Sequence, residues 1–212
     1  MGSSRESVRG VALFDTAIGR CGVAWGEAGL IAVTLPAGTD AATLALLDHH
    51  LHDRRDDPRP PDARRDRARR APGEALVAGA SAPGAVLSAE VARATSRMAR
   101  LLDGARDDLA DVRVDLSGVP AFHRRVYEVT REISPGATLT YGEVAARLGA
   151  PGAAQAVGRA LGRNPVPIVV PCHRVLASGG AMHGFSAPGG IETKRRMLVI
   201  EGALAPAPPT LF

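Results

Sequence analysis

The chain has 212 residues, which suits one compact unit or two small ones, and its aromatic content of 3% means that Ala, Val and Leu must form most of the core. A net charge of +4 fits a polyanionic partner without requiring one. The two cysteines, Cys21 and Cys172, exclude a disulfide framework and a four-thiolate zinc site. No apolar run reaches the length of a membrane span, and the N-terminal residues lack a signal core, so we expect no membrane association and an intracellular location.

The N-terminal segment predicts an antiparallel meander. In "VRGVALFDTAIGRCGVAWGEAGLIAVTLP", apolar residues alternate around glycines at the turns. Cys21 lies within one strand and is predicted to be a small buried hydrophobe. "DAATLALLDHHLH" then predicts a short helix with Asp40 as its cap. Its cluster of His49, His50 and His52 suggests a metal site or a solvated helix end, and with no cysteine nearby we favour the helix end.

The stretch from Asp53 to Pro72 consists almost wholly of Arg, Asp, Pro and Ala. Such a composition cannot bury enough apolar surface to offset the entropy of ordering the chain. We therefore predict a disordered loop. Its arginine excess adds only weak, non-specific attraction for nucleic acid.

Two amphipathic helices flank a predicted short strand, "ADVRVDLSG". "LSAEVARATSRMARLLDG" predicts the first helix, which Gly104 ends, and "PAFHRRVYEVTREI" predicts the second. We place a domain boundary between them, giving an N-terminal domain of residues 1–114 and a C-terminal domain of residues 115–212. The predicted apolar faces are Val91, Met98 and Leu101 or Leu102 in the first helix, and Phe122, Val126, Val129 and Ile133 in the second.

The next segment predicts two short helices about a tight turn, over residues 141–148 and 153–161. This arrangement is typical of a helix-turn-helix, although a generic helical hairpin packed on a core fits the same pattern. On the second helix, Gln155 and Arg159 lie four residues apart and share one face. The inward stripe is predicted to be Ala154, Val157 and Leu161.

Cys172 stands between Pro171 and two basic residues, His173 and Arg174. Nearby positive charge and imidazole lower the pKa of a thiol and favour the thiolate, which is the nucleophile. Adjacent residues of an extended chain point to opposite faces. Direct pairing of Cys172 with His173 would therefore need a turn or a bridging water.

The last predicted helix, "GGIETKRRMLVIEG", ends at Gly202 and places Lys194, Met197, Leu198 and Glu201 on one face. The helix dipole disfavours a carboxylate in the last turn, so Glu201 needs a cationic or donor partner. We predict His173 as that partner. A carboxylate that orients a histidine, which activates a cysteine, has the logic of a catalytic triad.

The motifs "PCHRV", "GRNPVPIVV", "GGAMHGFSAPGG" and "KRRMLVIEG" together resemble the O6-alkylguanine-DNA alkyltransferases over about residues 122–202. The resemblance implies an α/β (α+β) fold. Its N-terminal antiparallel-sheet domain would be ribonuclease H-like, and its mainly helical C-terminal domain would carry a winged helix-turn-helix. It also implies direct-reversal DNA repair, in which the alkyl group of O6-alkylguanine, or less readily O4-alkylthymine, passes irreversibly to the cysteine. The damaged base would be flipped out of the duplex from the minor groove.

The resemblance also implies a role for each matching residue. The catalytic group would be Cys172 as the alkyl acceptor, His173 as its base through a water, Glu201 holding His173, Asn164 bracing the turn and Tyr141 rotating the nucleotide. The substrate-binding group would be Val175, Phe185, Ser186, Pro167 and Lys194, with the backbone carbonyls of Val175 and Cys172 facing the guanine amine. The DNA-binding group would be Gln155, Arg159, Ala153, Ala154, Thr140 and Arg174.

The sequence departs from the family at Gln155, where an arginine usually fills the gap left by the flipped base. We expect Gln155 to be a weaker wedge and Arg159 to attract phosphate. The resemblance implies no cofactor, no metal site, and a monomeric cytoplasmic protein that reaches the nucleoid through DNA. Two alternatives remain: a non-catalytic alkyltransferase-like lesion-binding module, against which Cys172 argues, and a thiol hydrolase, which leaves the helix-turn-helix unexplained.

Overall fold

The N-terminal region is built on a three-stranded antiparallel sheet. The computed structural model describes residues 8–53, 88–182 and 184–206. Strands β1 (Gly10–Phe14), β2 (Cys21–Trp25) and β3 (Leu30–Thr34) lie in the order β1-β2-β3. The predicted meander is confirmed, and the side chain of Cys21 is fully buried within β2, as expected. Its burial raises the pKa of the Cys21 thiol to about 12, so this cysteine is unreactive packing.

Two helices accompany the sheet region, α1 (Asp40–Asp53) and α2 (Ala89–Leu101). The prediction that Asp40 caps α1 is wrong. The Thr39 hydroxyl accepts the hydrogen bond from the Ala42 amide, and the Asp40 carboxylate instead pairs with Arg20. The apolar face predicted for α2 is confirmed, since Val91, Met98, Leu101 and Leu102 are all buried.

The predicted strand "ADVRVDLSG" is wrong. Among the described residues, this segment forms one isolated parallel bridge, between Leu30 and Val114. Leu30 donates its amide hydrogen to Arg113 and accepts one from Asp115 at its carbonyl. The Asp115 carboxylate then accepts hydrogen bonds from the amide and hydroxyl of Ser117, which turns the chain away before a ladder can extend.

The C-terminal region is mainly helical. Its helices are α3 (Ala121–Arg131), α4 (Tyr141–Arg147), α5 (Ala154–Leu161) and α6 (Gly190–Ile200). Two short strands, β4 (Leu139–Thr140) and β5 (Val175–Leu176), pair in parallel. A 3-10 turn, Cys172–Arg174, leads directly into β5. On α3, Val126 is buried and Phe122 and Val129 pack against the core, as predicted. Ile133, which follows the end of α3, is buried as well.

One large apolar core joins the two regions. It contains residues of β2, β3 and α2 together with residues of α3, α4, α5 and α6. The Tyr127 hydroxyl crosses this core to donate to the Ala160 carbonyl at 2.9 Å. The amide of Val33, in β3, donates to the Pro165 carbonyl at 2.8 Å, so the sheet also holds the segment that precedes Cys172.

Some predictions fall outside the described ranges. Of the predicted loop Asp53–Pro72, only Asp53 is described, and it ends α1. Within the described ranges, no helix combines the length and apolar character needed to cross a bilayer. The same residues contain no group of three His, Cys, Asp or Glu side chains arranged to hold a metal ion.

Gly29 allows a test of the close contact between the sheet and the segment that contains Val114. Its φ is +137°, and a Cβ atom there would lie 2.5 Å from the Arg113 carbonyl oxygen. We expect Gly29→Ala to lower the free energy of unfolding by about 3 kcal/mol, since backbone strain and overpacking each cost about 1–3 kcal/mol. Urea denaturation measures the loss.

Gly38→Ala is the matched control. Gly38 also has a positive φ, +89°, but nothing lies within 4 Å of the added Cβ. Gly38→Ala should lower the free energy of unfolding through backbone strain alone, by about 1 kcal/mol. Equal losses in the two variants would contradict the close approach to Arg113.

Candidate alkyl-acceptor site

The segment before Cys172 is held by the side chain of Asn164. Its amide nitrogen donates to the Val170 carbonyl at 2.8 Å, and its oxygen accepts from the Val166 amide at 3.1 Å. Residues 165–171 are all buried, and Ile168 is held at a φ of +76°, which a β-branched residue rarely adopts. The structure therefore places Asn164 as a brace of this segment, where the sequence predicts it.

A buried carboxylate holds the turn from the other side. Glu201 is the residue at the C-terminal end of α6. Its Oε1 lies 2.9 Å from His173 Nε2, and its two oxygens accept from the Arg174 guanidinium at 2.8 Å each. Burial raises the pKa of Glu201, but the hydrogen bonds from His173 and Arg174 outweigh it and leave the pKa at about 2. The predicted meeting of His173 and Glu201 is present.

The prediction that Arg174 contacts DNA is wrong. Its side chain is 1% exposed, and its guanidinium donates to Glu201 and to the Ile133 carbonyl. The residue lies in the 3-10 turn, and its side chain is buried there. Arg174 therefore belongs to the support of Glu201.

His173 is a neutral imidazole in this setting. Burial lowers its pKa, and the Glu201 carboxylate only partly restores it. With Nε2–H donated to Glu201, Nδ1 carries the lone pair. Within the described part of the chain, Nδ1 has no hydrogen-bond partner, so it is available to accept a proton.

Cys172 is half-buried and lies at the edge of a cavity of about 740 Å³ between α4, α5 and α6. The cavity lies on the exposed side of α5, so a planar ring could enter from the protein surface. The wall combines two aromatic rings with many small residues. It consists of Tyr141, Gly142, Ala154, Gln155, Gly158, Leu161, Gly162, Cys172, Ala177, Ser178, Gly184, Phe185, Ser186 and Lys194.

The expectation of a lowered thiol pKa is wrong in sign. Burial raises the pKa of Cys172, and the Asn164 hydrogen bond, the Lys194 charge and two backbone amides offset this only in part. The two adjacent basic residues contribute little because His173 is neutral and the charge of Arg174 is taken up by Glu201.

Four of the five predicted substrate-binding residues lie at or beside the cavity. Phe185 and Ser186 form part of its wall, and Lys194 reaches it from α6. The Val175 carbonyl accepts from Lys194 Nζ at 2.6 Å. Pro167 is buried within the braced segment and is not part of the wall, so that prediction is wrong.

The Cys172 carbonyl, also predicted to face the guanine amine, accepts the Val175 amide hydrogen. Both predicted backbone acceptors, at Cys172 and Val175, thus already hold one internal hydrogen bond. A carbonyl oxygen has two lone pairs, so each can still accept a second hydrogen bond.

Tyr141 is placed by the start of α4. The Thr140 hydroxyl accepts from the Glu143 amide at 3.1 Å, and the Glu143 carboxylate accepts from the Thr140 amide at 2.6 Å, which forms a capping box. Tyr141 is the first residue of this helix, and its ring enters the cavity. Burial, followed by the charge of Cys172, raises its pKa, so the phenol stays protonated and can donate.

Of the remaining predicted DNA-contact residues, Thr140 is the N-cap of α4, and the other four lie on or next to α5. Gln155 and Arg159 are exposed on the same face of α5, and Gln155 and Ala154 also form part of the cavity wall. Ala153 caps the helix. The predicted inward stripe needs one correction, because Ala160 is buried in it and Ala154 faces the cavity.

The small-residue wall is the feature that sequence reasoning missed. Gly142, Gly158 and Gly162 all line the cavity. Gly158 and Gly162 lie four residues apart, so they fall on one helical face. This spacing in the sequence indicates a helix face without large side chains, which a ligand can approach.

Comparisons with known proteins point to one family. Residues 121–203 match the family described as 6-O-methylguanine DNA methyltransferase, DNA binding domain. The chain is 49% identical over 102 residues to the methylated-DNA–protein-cysteine methyltransferase of Mycobacterium tuberculosis, which covers 48% of this chain and 60% of that relative. It is 40% identical over 121 residues to the Mycobacterium leprae protein of the same name, which covers 57% of this chain and 71% of that relative.

The likeness extends over nearly the whole chain in solved structures. The crystal structure of Mycobacterium tuberculosis OGT in complex with DNA has a TM-score of 0.60 and 29% identity, covering 93% of this chain and 95% of that one. The O6-methylguanine-DNA methyltransferase of the archaeon Pyrococcus kodakaraensis has a TM-score of 0.59 and 26% identity, covering 91% and 98%. The fold and the C-terminal sequence thus point to the same group of proteins, although the alignment with the first M. tuberculosis relative spans only 60% of that protein's length.

Glu201→Gln tests the buried carboxylate. Removing one partner from a buried ion pair costs about 3–5 kcal/mol, so we expect a loss of this size in the free energy of unfolding at neutral pH. The depressed pKa of Glu201 stabilises the fold above the ordinary value of 4.5, and this contribution is lost as the pH falls towards about 2. The difference between wild type and variant should shrink over that range.

Glu128→Gln, at an exposed position on α3, is the control for removing a carboxylate, and it should stay within about 0.5 kcal/mol of wild type. Chemical denaturation at a series of pH values measures both variants. A difference between wild type and Glu201→Gln that does not change with pH would contradict the ion-pair assignment.

Proposed function

Because the chain belongs to the methylated-DNA–protein-cysteine methyltransferase family, we propose that it repairs DNA by taking an alkyl group from the O6 atom of guanine onto Cys172. The observation that carries the proposal is the position of the thiol. It lies at the edge of a cavity with two aromatic rings, beside an exposed helix, and is braced on both sides.

The proposed reaction moves one bond from oxygen to sulfur. Cys172 gives its proton to Nδ1 of His173 through a water, and Glu201 keeps that imidazole oriented. The thiolate then forms a carbon–sulfur bond while the carbon–O6 bond breaks. The electron pair of that bond stays on the guanine, which takes up a proton. No group in the site regenerates the thiol from the thioether, so each molecule acts once.

The cavity explains why the base must leave the duplex. A guanine stacked in DNA cannot bring its O6 substituent to a half-buried sulfur. We propose that the flipped base lies between Tyr141 and Phe185, with Tyr141 donating a hydrogen bond to it. O4-alkylthymine, which also carries its alkyl group on an exocyclic oxygen, would be a poorer substrate.

Helices α4 and α5 are proposed to form a winged helix-turn-helix that meets double-stranded DNA in the minor groove. The exposed Gln155 and Arg159 support this placement. The N-terminal sheet is proposed to belong to a ribonuclease H-like domain, residues 1–114, followed by the alkyltransferase domain, residues 115–212. The proposed protein is a monomer, free of cofactor, in the bacterial cytoplasm at the nucleoid.

Intact mass measurement tests the reaction. After incubation with a duplex that carries O6-methylguanine, we expect each protein molecule to gain one methyl group, located on the peptide that contains Cys172. Cys172→Ser should gain none. Cys21→Ala, which removes the other thiol from a site with no access to DNA, should still gain one.

Tight binding to the lesion without a gain in mass would overturn the proposed repair activity and favour a lesion-binding module. Catalytic turnover of small esters or amides would favour a thiol hydrolase. A methyl group found on any residue other than Cys172 would refute the assignment of the acceptor.

Gln155→Arg tests the proposed wedge. Arginine is longer than glutamine and carries a charge, so it should fill the gap left by the flipped base better and also attract phosphate. We expect tighter binding to lesion DNA or faster methyl transfer, measured by fluorescence anisotropy and by single-turnover quenching.

Arg159→Gln is the companion variant, because Arg159 lies on the same face of α5. It should flatten the dependence of log affinity on log salt by about 0.9, the value for one phosphate contact. Unchanged affinity and rate in Gln155→Arg would contradict the role of Gln155.

A further inference from the structure

Lys194 is a buried cation in the wall of the cavity. Its residue is 1% exposed, although lysine is almost never fully buried without a partner. Its Nζ lies 5.9 Å from the centre of the Tyr141 ring and 6.0 Å from that of Phe185. Two aromatic faces at this distance attract an ammonium group but do not neutralise its charge.

The nearby carboxylate cannot be that partner. Glu201 lies seven residues further along the same face, but both of its oxygens are occupied by His173 and Arg174. In the described ranges, no Asp or Glu oxygen lies within 4.0 Å of Lys194 Nζ. The one remaining acidic group that faces the same cavity with Lys194, besides the Tyr141 phenol, is the thiol of Cys172.

The backbone ties Lys194 to the cysteine. Lys194 Nζ donates to the Val175 carbonyl at 2.6 Å. The amide of Val175 in turn donates to the Cys172 carbonyl, which closes the 3-10 turn. The ammonium is therefore anchored to the residue that ends the cysteine turn, and it has two further hydrogens to direct into the cavity.

We propose that the Lys194 ammonium is the charge partner of the Cys172 thiolate and so a positioning residue for alkyl transfer. This proposal rests on the proposed function and concerns how the nucleophile of that reaction is maintained. It gives Lys194 a different task from the contact with the base that the sequence resemblance implies.

This pairing supplies a partner for a positive charge that has no carboxylate beside it in the described site. Arg174 is neutralised by Glu201, and His173 is neutral because its burial lowers its pKa. Tyr141 stays protonated. Lys194 is then the one positive charge that remains unpaired in the described site until Cys172 ionises. When sulfur bonds to the alkyl carbon, the thiolate charge disappears and the ammonium charge stays.

The electrostatics of both groups agree with this geometry. Burial raises the pKa of Cys172, and the Lys194 charge acts to lower it. Burial lowers the pKa of Lys194, and the Cys172 charge acts to raise it. Loss of the ammonium must therefore raise the pKa of the thiol.

The test measures the rate at which iodoacetamide alkylates Cys172 as a function of pH, without DNA. Sulfur displaces iodide in this reaction, and peptide mass mapping separates Cys172 from Cys21. Because the ammonium and the thiol face the same cavity, Lys194→Met and Lys194→Gln should both move the profile to higher pH, by roughly one unit. Below the thiol pKa, both should react about tenfold more slowly than wild type.

The two variants separate charge from hydrogen bonding. Lys194→Gln keeps a donor for the Val175 carbonyl but has no charge, and Lys194→Met has neither. A shift in Lys194→Met alone would overturn the proposal, since the lysine would then act only through the hydrogen bond. Lys194→Arg keeps the charge and should restore most of the wild-type profile.

Arg195→Met is the matched control, because it removes a positive charge from the next position of α6, outside the cavity wall. Its profile should stay at the wild-type position. An equal shift in Arg195→Met, or an unchanged profile in Lys194→Gln, would overturn the proposal.

A reciprocal measurement keeps the lysine and so does not depend on whether its variants fold. The Lys194 side chain, labelled with ¹³C at Cε, is titrated by NMR in wild type and in Cys172→Ser. Loss of the thiolate should lower the pKa of Lys194 by about as much as loss of the ammonium raises the pKa of the thiol, roughly one unit. An equal lysine pKa in the two proteins would overturn the pairing, whatever the outcome of the DNA repair assay.

Discussion

The buried carboxylate of Glu201 is the interaction on which the rest of the site depends. It accepts three hydrogen bonds from two consecutive residues of the 3-10 turn, His173 and Arg174. Two of these come from the planar guanidinium fork, which fixes the direction of the carboxylate as well as its position. The end of α6 is thereby joined to the turn that carries Cys172, and the imidazole is held in one orientation and one tautomer.

A second set of contacts holds the other end of the cysteine segment. Asn164 binds the backbone at Val166 and Val170, and the β3 strand contributes the amide of Val33 to the Pro165 carbonyl. These contacts keep Ile168 at a positive φ, which costs about 1–3 kcal/mol and persists only when the surroundings enforce it. The N-terminal sheet therefore has a direct part in the site although it contributes no residue to the cavity wall. Because the segment that carries the thiol is held at both ends, the thiol does not have to be ordered when the substrate binds.

The sequence predicted contacts best where a residue occupies a position that its type usually avoids. Glu201 at a helix end, where the dipole disfavours it, correctly predicted a partner, and His173 is that partner. Arg174 was misplaced because adjacent basic residues look alike in a sequence, and only the 3-10 turn decides which of them enters the core. Pro167 was misplaced for a similar reason, since the residues between Asn164 and Cys172 are all buried and none of them forms part of the cavity wall. The segment containing Val114 alternates like a strand, but a side-chain turn after it ends the pairing.

The charges in the site change when Cys172 accepts an alkyl group, and this bears on why each protein molecule acts once. In the buried site Arg174 pairs with Glu201. The partner proposed for Lys194 is the Cys172 thiolate, which faces the same cavity. The proposed reaction converts that thiolate into a neutral thioether inside the same cavity. The product therefore holds a buried ammonium whose proposed partner can no longer ionise. A thiolate is also a poor leaving group from a thioether, so the alkyl group stays on sulfur and the thiol is not regenerated.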